Sequence, residues 1–480
     1  METPLRRSSD IISNLPDQVV ETIFAHLSIR DVVRTSLLSN KWRYKWTIIP
    51  NLVFHEDIIC SSTNDKNLRI YKLVNFVDRV LLHHKGSIHK FELSTSLQQG
   101  YVIDSWILFL SRNGVKEIVL RFSTGKSYEV HSSFYSCEAI CCLNMCRCIL
   151  KPPPMFKGFS DLRSLNLERV TLADDILESM LSICTVLEIL RLIQLNGCSC
   201  IKICCQNLQH FYFDGKYAEI CFINAPHLSF VFISLRTKVA DKHVGQGEIS
   251  NFVRVLGSLT CLEKLVVRGY FMEFFAMGNL SKRLPFTYDH LRSISLLINF
   301  KDMNQTLVML CLLQSSPNLR ELDMVANVFA ATEYVEDNFW KAQSHWNYFM
   351  NQLHVVKIRM LGARPELKFI EWLLANSPLL EILSVNHISE KKDEESRVLK
   401  ELVRFQRAST KAQIQYTREL RKATERVQAL IKAKVDKSLI NRESSNKVKG
   451  KAYLQILFRH NHGWRFSMCY FWSVCMLEGP

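Results

Sequence analysis

Nowhere in its 480 residues does the chain run through 18 consecutive apolar positions, so the pattern excludes a membrane-spanning helix. The opening METPLRRSSDIISNLPD lacks the apolar run of a signal peptide. Without a secretory signal, the 16 cysteines are expected as reduced thiols in nucleus and/or cytoplasm, which argues against a disulfide framework. The sequon Asn304-Gln305-Thr306 then meets no glycosylation machinery. Motifs of catalysis are missing too: there is no Gly-x-Ser-x-Gly, no His-Glu-x-x-His and no kinase-like set. Gly245-Gln246-Gly247 lacks the strand before and helix after that a phosphate cradle needs.

Cysteine spacing excludes the usual zinc patterns. Cys137, Cys141, Cys142, Cys146 and Cys148 form one group, and Cys198, Cys200, Cys204 and Cys205 a second. Neither offers two Cys-x-x-Cys-like pairs in register. They are expected as small core residues in strands and turns, with no metal and no cofactor. His460-x-His462 is isolated from any further ligand.

What is present is a folded, modular chain. Hydrophobic residues make up 48%, and the length exceeds one usual core. Between Leu15 and Trp46, about thirty residues read as three short helices. Pro16 fits a first helical position, with Asp17 and Glu21 near that positive end. Val19, Val20, Ile23, Phe24 and Leu27 recur at helical spacing. Ser28 and Asp31 read as a capping box opening a second helix through Val32, Val33 and Leu37. Ser39 can cap a third, carrying Trp42 and Trp46 four residues apart on one face. A unit under about 40 residues rarely buries enough surface to stand alone. Its apolar residues must also meet the rest of the chain or a partner.

Downstream, Leu-x-x-Leu-x-Leu recurs. The copies are LRSLNL (162–167), LEILRL (187–192), LQHFYF (208–213), LSFVFI (228–233), LEKLVV (262–267), LRSISL (291–296), LRELDM (319–324), LHVVKI (353–358) and LEILSV (380–385). IHKFEL (88–93) and VKEIVL (115–120) are weaker relatives. Start-to-start spacing of 20 to 34 residues matches the leucine-rich-repeat period. The last two apolar positions of each copy should point inward from a short strand. Stacked strands then make a parallel sheet, with helical or irregular returns such as DDILESMLSIC (174–184) and LKFIEWLLANS (367–377). The expected fold is α/β, a leucine-rich-repeat solenoid with its sheet on the concave face, preceded by a small three-helix unit.

LPDQVVETIFAHL followed by IRDVVRTSLLSNKWRYKW resembles a plant F-box of the kind joined to leucine-rich repeats. ILKPPPMFKGFSDLRSLNLERV (149–170), CLLQSSPNLRELDM (311–324) and ELKFIEWLLANSPLLEIL (366–383) extend the resemblance. LKELVRFQRASTKAQIQY (399–416) is similar to the FBD domain that closes many such proteins. The resemblance implies a disordered start over 1–9, an F-box over 10–50, a helical linker over 51–87 and repeats over 88–352. An FBD domain with the last repeats over 353–416 and a basic tail over 417–480 complete it. It implies a non-catalytic, substrate-recruiting subunit of an SCF-type ubiquitin ligase. The F-box would dock on a Skp-type adaptor, and through it a cullin, while the repeats select a protein substrate. Carried onto this chain, the docking residues are Leu15, Pro16, Val20, Ile23, Leu27, Val32, Leu38 and Trp42. The plainer alternative is that they cement the helices together.

Strand register points to the substrate surface. The residue between the last two apolar positions of each copy, with its neighbours two away, should face the concave side. Ile189, Ile193, Tyr212, Phe230 and Phe232 then form an apolar-aromatic patch. Charge alternates beyond it: Lys264 with Arg268, Glu321 with Asp323, Lys357 with Arg359. Substrate contacts are expected at Ile189, Arg191, Tyr212, Phe230, Phe232, Lys264, Arg268, Glu321 and Asp323. A mixed surface with aromatic anchors suits a protein partner better than a polyanion. The alternative is an ordinary solvated sheet face.

The net charge of +15 is uneven. Residues 417–480 hold 13 Lys and Arg against 5 Asp and Glu, a net +8, which argues against a nucleic-acid partner for the repeats. Residues 398–435 read as a basic helix, and the closing FSMCYFWSVCML is too short to span a bilayer. The tail reads as a docking segment, a nuclear-import patch or sequence foreign to the functional protein. Two other functions stay open: an interaction scaffold outside any ligase, and a sensor of a small molecule or inositol phosphate in the repeat bowl.

Overall fold

A computed structural model describes residues 15–38, 40–59, 65–216, 219–237, 257, 259–276, 284, 286–327, 350–388 and 392–419. The chain divides into two compact units, Met1–Cys198 and Ser199–Pro480. Expectations for Ser39, the Gly245 loop, His460, His462 and the chain after Glu419 lie outside the described residues.

The first unit opens with α1 (Asp17–Ala25). Pro16 is its N-cap and not its first turn, with its carbonyl accepting from Val19 and Val20 at 3.0 and 3.1 Å. In α2 (Ile29–Arg34) Ser28 is the N-cap: its Oγ accepts the Asp31 N–H at 3.3 Å and donates to the Asp31 carboxylate at 2.7 Å. Where a third helix is expected, the chain makes two 3₁₀ turns, Thr35–Leu37 and Lys45–Ile48. Trp42 lies in the turn between them.

Strands of the first unit are β1 (Asn51–His55), β2 (Lys90–Thr95), β3 (Glu117–Phe122), β4 (Tyr128–Glu129), β5 (Cys142–Cys146), β6 (Cys148–Ile149), β7 (Ser164–Glu168) and β8 (Ile189–Ile193). β1-β2-β3-β5-β7-β8 pair in parallel in that order, and β4 pairs with β6. Parallel neighbours need crossovers, supplied in part by helices Lys66–His83, Gly100–Arg112 and Asp174–Ile183. The expected helical linker therefore begins with a strand: β1 already belongs to the sheet.

The second unit holds β9 (Cys200–Cys204), β10 (His210–Gly215), β11 (Glu219–Asn224), β12 (Phe230–Leu235), β13 (Lys264–Gly269), β14 (Ser293–Ile298), β15 (Glu321–Ala326), β16 (Val355–Met360), β17 (Ile382–Ile388) and β18 (Gln413–Glu419). β10 and β12 through β18 form one parallel series, and β9 pairs with β11. Helices Met303–Gln314 and Arg364–Ala375 are among its returns.

Every repeat copy read from the sequence is a strand. The inward pairs, from Leu165 and Leu167 to Leu383 and Val385, are at most 2% exposed. Each such side chain contributes about 1.5–3 kcal/mol of burial, so the repeated leucine pattern is the core. The expected basic helix over 398–435 does not form as a whole: the helix is Lys392–Arg404, and β18 follows. The chain is pulled back to the sheet there, with Ala408 N–H bonding Leu374 O at 2.9 Å and buried Ser409 donating to Leu380 O at 2.7 Å.

Candidate functional site

Two kinds of surface come out of this architecture, an apolar one on the amino-terminal helices and a mixed one on the strand faces. Burial divides the amino-terminal residues. Val20, Val32 and Trp42 are no more than 3% exposed, and Trp42 packs edge-on against Phe24 with centroids 5.6 Å apart. Those three hold the helices together and offer no surface, contrary to their expected docking role. Leu15 and Ile23 are half-buried, while Pro16, Leu27 and Leu38 are exposed. The sequence reading missed Leu37, Tyr44 and Ile48, exposed by 86%, 65% and 58%. Leu37 fits the helical stripe by spacing but sits in a 3₁₀ turn that carries its side chain outward.

This small subdomain is fastened to the first repeats by backbone bonds. Thr47 O accepts from Lys85 and Gly86 at 2.8 and 3.4 Å, and Pro50 O accepts from His89 and Lys90 at 2.8 and 3.1 Å. Beside the joint lies a cleft of about 680 Å³ walled by Phe24, Leu27, Ile29, Ile48, Val53 and Ile58.

In the first unit, register aligns Asn144, Asn166 and Arg191 in one row across β5, β7 and β8. Arg191 is exposed, and Ile189 and Ile193 are half-buried on either side of it. In the second unit Tyr212, Phe230 and Phe232 come together as expected. The Tyr212 ring lies 4.9 Å from Phe230 and 6.1 Å from Phe232, at interplanar angles of 35° and 32°. Such tilted rings on half-buried strands make a shallow aromatic platform with Lys264 in register beside Phe230.

Arg268 is the main departure from expectation. It is 5% exposed, donates to Ser295 Oγ at 2.7 Å and pairs with Asp323 at 3.6 Å. Ser295 Oγ in turn donates to the Asp323 carboxylate at 2.6 Å. Arg268 and Asp323 thus neutralise each other on the sheet face, while Lys264 is half-buried and Glu321 exposed. A guanidinium reaching two strands across is invisible to a strand-by-strand reading.

Among the described residues no group of three or more His, Cys, Asp or Glu is placed to hold a metal ion. No helix among them is long and apolar enough to cross a membrane. Burial raises the Cys137 thiol to about 12 and the Cys142 thiol to about 11, away from nucleophilic reactivity.

Comparison with known proteins fits this arrangement. A model of the F-box domain matches residues 12–54. A model described as "FBD-associated F-box protein At5g56370, LRR repeats" matches residues 103–324. The Arabidopsis thaliana "F-box/FBD/LRR-repeat protein At1g13570" is 40% identical over 416 residues, covering 86% of this chain and 99% of that protein. The chain belongs to the F-box/FBD/LRR-repeat family. "F-box/LRR-repeat protein 13", from the same plant, is 26% identical over 84% of this chain and 96% of its own length. The amino-terminal helical subdomain is therefore the F-box, the strand series the leucine-rich repeats, and the closing helix and β18 coincide with the FBD resemblance.

Proposed function

We propose that this F-box/FBD/LRR-repeat protein is a non-catalytic substrate-recognition subunit of an SCF-type ubiquitin ligase. Its F-box engages a Skp-type adaptor, and through it a cullin, while the strand faces of the repeats hold the protein to be modified. The work is done in nucleus and/or cytoplasm. One observation supports the reading above the others. An F-box whose own core is filled by Val20, Phe24, Val32 and Trp42 still leaves Leu27, Leu37, Leu38, Tyr44 and Ile48 in solvent. So many exposed large apolar residues on so small a unit favour an interaction site. Leu15, Pro16 and Ile23 extend that surface, and Val20, Val32 and Trp42 support it from beneath. On the second unit, the platform of Tyr212, Phe230 and Phe232 with Lys264 supplies the aromatic anchors that protein interfaces favour, with Glu321 as a further contact; Ile189 and Arg191 are separate candidate contacts on the first unit.

The test is co-purification of the full chain with a Skp-type adaptor. Leu37→Glu with Leu38→Glu should abolish it while the melting temperature stays within a few degrees. Failure of the intact, folded chain to retain any such adaptor rejects the proposal.

A further inference from the structure

Arg147 and Arg169 have positive φ, 60° and 52°. Each stands five residues after the start of its strand, β5 or β7, and the two starts are register partners. Gln194, φ 51°, holds the same place after β8, and Gly269, φ 62°, the same place at the end of β13. The backbone needs this left-handed turn. Arg147 N–H bonds Glu168 O at 2.9 Å and Arg169 N–H bonds Ile193 O at 2.7 Å, extending the ladder beyond the strands. Glycine adopts that conformation without cost, whereas a residue with a Cβ is strained there. Two consecutive repeats nonetheless place an arginine in it, and strain of this kind collects at binding sites.

Register sets Arg121 beside Cys146 and Cys146 beside Glu168, the residues that immediately precede Arg147 and Arg169. Arg169, Arg147 and Arg121 all act electrostatically on the Cys146 thiol, opposing the burial and the Glu168 charge that raise it to about 11. Arg121 is committed to Glu92 at 2.9 Å, and Arg169 gives only its Nε to Gln194 Oε1, at 2.7 Å. The Arg147 guanidinium has no hydrogen-bonded or ion-paired partner among the described residues. Glu168 is the local counter-charge, so the cluster is basic but not strongly so. That balance suits single carboxylates, which an arginine fork binds in two parallel bonds, better than a dense polyanion.

We infer that Arg147 and Arg169, flanked by Arg121 and Arg191, form a carboxylate-recognising rim on the first unit that seats an Asp- and Glu-rich segment of the selected protein. The inference rests on the substrate-recruiting role proposed above and names the chemistry of what is recruited.

The full chain, co-expressed with a Skp-type adaptor, is titrated with a fluorescein-labelled hexaglutamate peptide at low and at physiological salt. Binding by the wild type should weaken with salt. It should weaken at least about fivefold in Arg147→Gly/Arg169→Gly, the worth of one well-made exposed ion pair. Glycine suits both turns, so that variant should melt within a few degrees of the wild type, and loss of binding then reports the lost side chains. Equal binding by the two proteins overturns the inference. So does a preference of the wild type for a neutral-flanked phosphoserine peptide or duplex DNA over hexaglutamate. Adaptor retention, read on the same preparations, tests the recruiting role separately: peptide binding absent with adaptor retained rejects this rim alone.

Discussion

The Tyr416 hydroxyl lies 2.7 Å from Nδ1 of His387, joining the last two strands of the sheet. Nε2 of the same ring lies 3.0 Å from Leu361 O. A carbonyl only accepts, so Nε2 carries the proton and Nδ1 receives the tyrosine hydroxyl. The ring is neutral, and burial holds its pKa below the ordinary 6.5. A depressed folded pKa contributes stability that is complete above the unfolded value and is lost as pH falls through the folded one. The His387 contribution to the stability of the carboxy-terminal repeats should therefore stay constant from about pH 8 to pH 7 and be lost on acidification below about pH 6. Tyr416→Phe should cost about 1 kcal/mol in denaturant unfolding at pH 7.5. His387→Phe should remove the acid-side slope. A slope unchanged in His387→Phe assigns it to other groups.

Glu366 acts with the opposite sign. It is 5% exposed, and its Oε2 accepts the N–H of Ala363 at 2.8 Å and of Leu361 at 3.1 Å. Burial still outweighs those donors and raises the carboxyl to about 7. A raised folded pKa contributes stability that is present below about 4.5 and lost as pH rises through about 7. Glu366→Gln removes the titration, so the loss of stability between about pH 5 and pH 8 should shrink by up to roughly 3 kcal/mol. Thermal melts at the two pH values check it. An unchanged difference would mean that the three-residue turn ahead of helix Arg364–Ala375 keeps its glutamate charged throughout.

The two roles on the F-box separate by mutation. Val32→Ala empties space in a core position 1% exposed and should cost roughly 1–2 kcal/mol while leaving adaptor capture intact at low temperature. Leu38→Ala changes a side chain 60% exposed and should do the reverse: unchanged melting, weaker capture. Gly86→Ala tests the joint instead. A Cβ at Gly86 would lie 2.9 Å from the Ile48 backbone, closer than contact allows, so the F-box must shift from the Thr47 anchor. Faster proteolysis between the F-box and helix Lys66–His83 is the expected readout, and wild-type resistance would show the joint can give.

Much of this was legible from spacing, because a leucine repeat writes its inward pairs directly. LRSLNL and its relatives placed β2, β3, β7, β8, β10 and β12 to β17. No repeat copy marked β1, β5, β18 or the short pairs β4–β6 and β9–β11. Asn51–His55 was hidden inside an apparent linker, and Cys142–Cys146 spells its inward pair as Leu143 and Met145 amid cysteines. Gln413–Glu419 alternates with period two, but it follows a basic helical run that masked it. At the sites, sequence spacing found apolar residues and strand faces but could not sort core from surface. Val32 and Leu38 look alike in the sequence. Only the 3₁₀ turn between them sends one inward and the other out.

The same limit decides how the repeat surface must be tested. Reversing charge at both Lys264 and Arg268 would probe substrate capture only if the two positions were alike, and they differ in kind. Arg268 is buried, tied to Ser295 and Asp323, so a glutamate there would leave two carboxylates facing each other in the sheet. Breaking a pair whose arginine is buried and whose carboxylate is half-buried costs up to about 3–5 kcal/mol, enough to unfold the second unit of a marginally stable chain. Arg268→Glu should therefore lose soluble, folded protein, and any loss of capture would report unfolding. Asp323→Asn, which keeps the shape and an acceptor for Ser295, should lower stability by about 1–3 kcal/mol without affecting solubility. Lys264→Glu lies in register between Phe230 and Ser293 on a half-buried strand face. It should melt like the wild type and weaken capture of a validated substrate several-fold, with Glu321→Lys as its counterpart on β15. Full capture by folded Lys264→Glu and Glu321→Lys would move the contact surface off this face of the second unit.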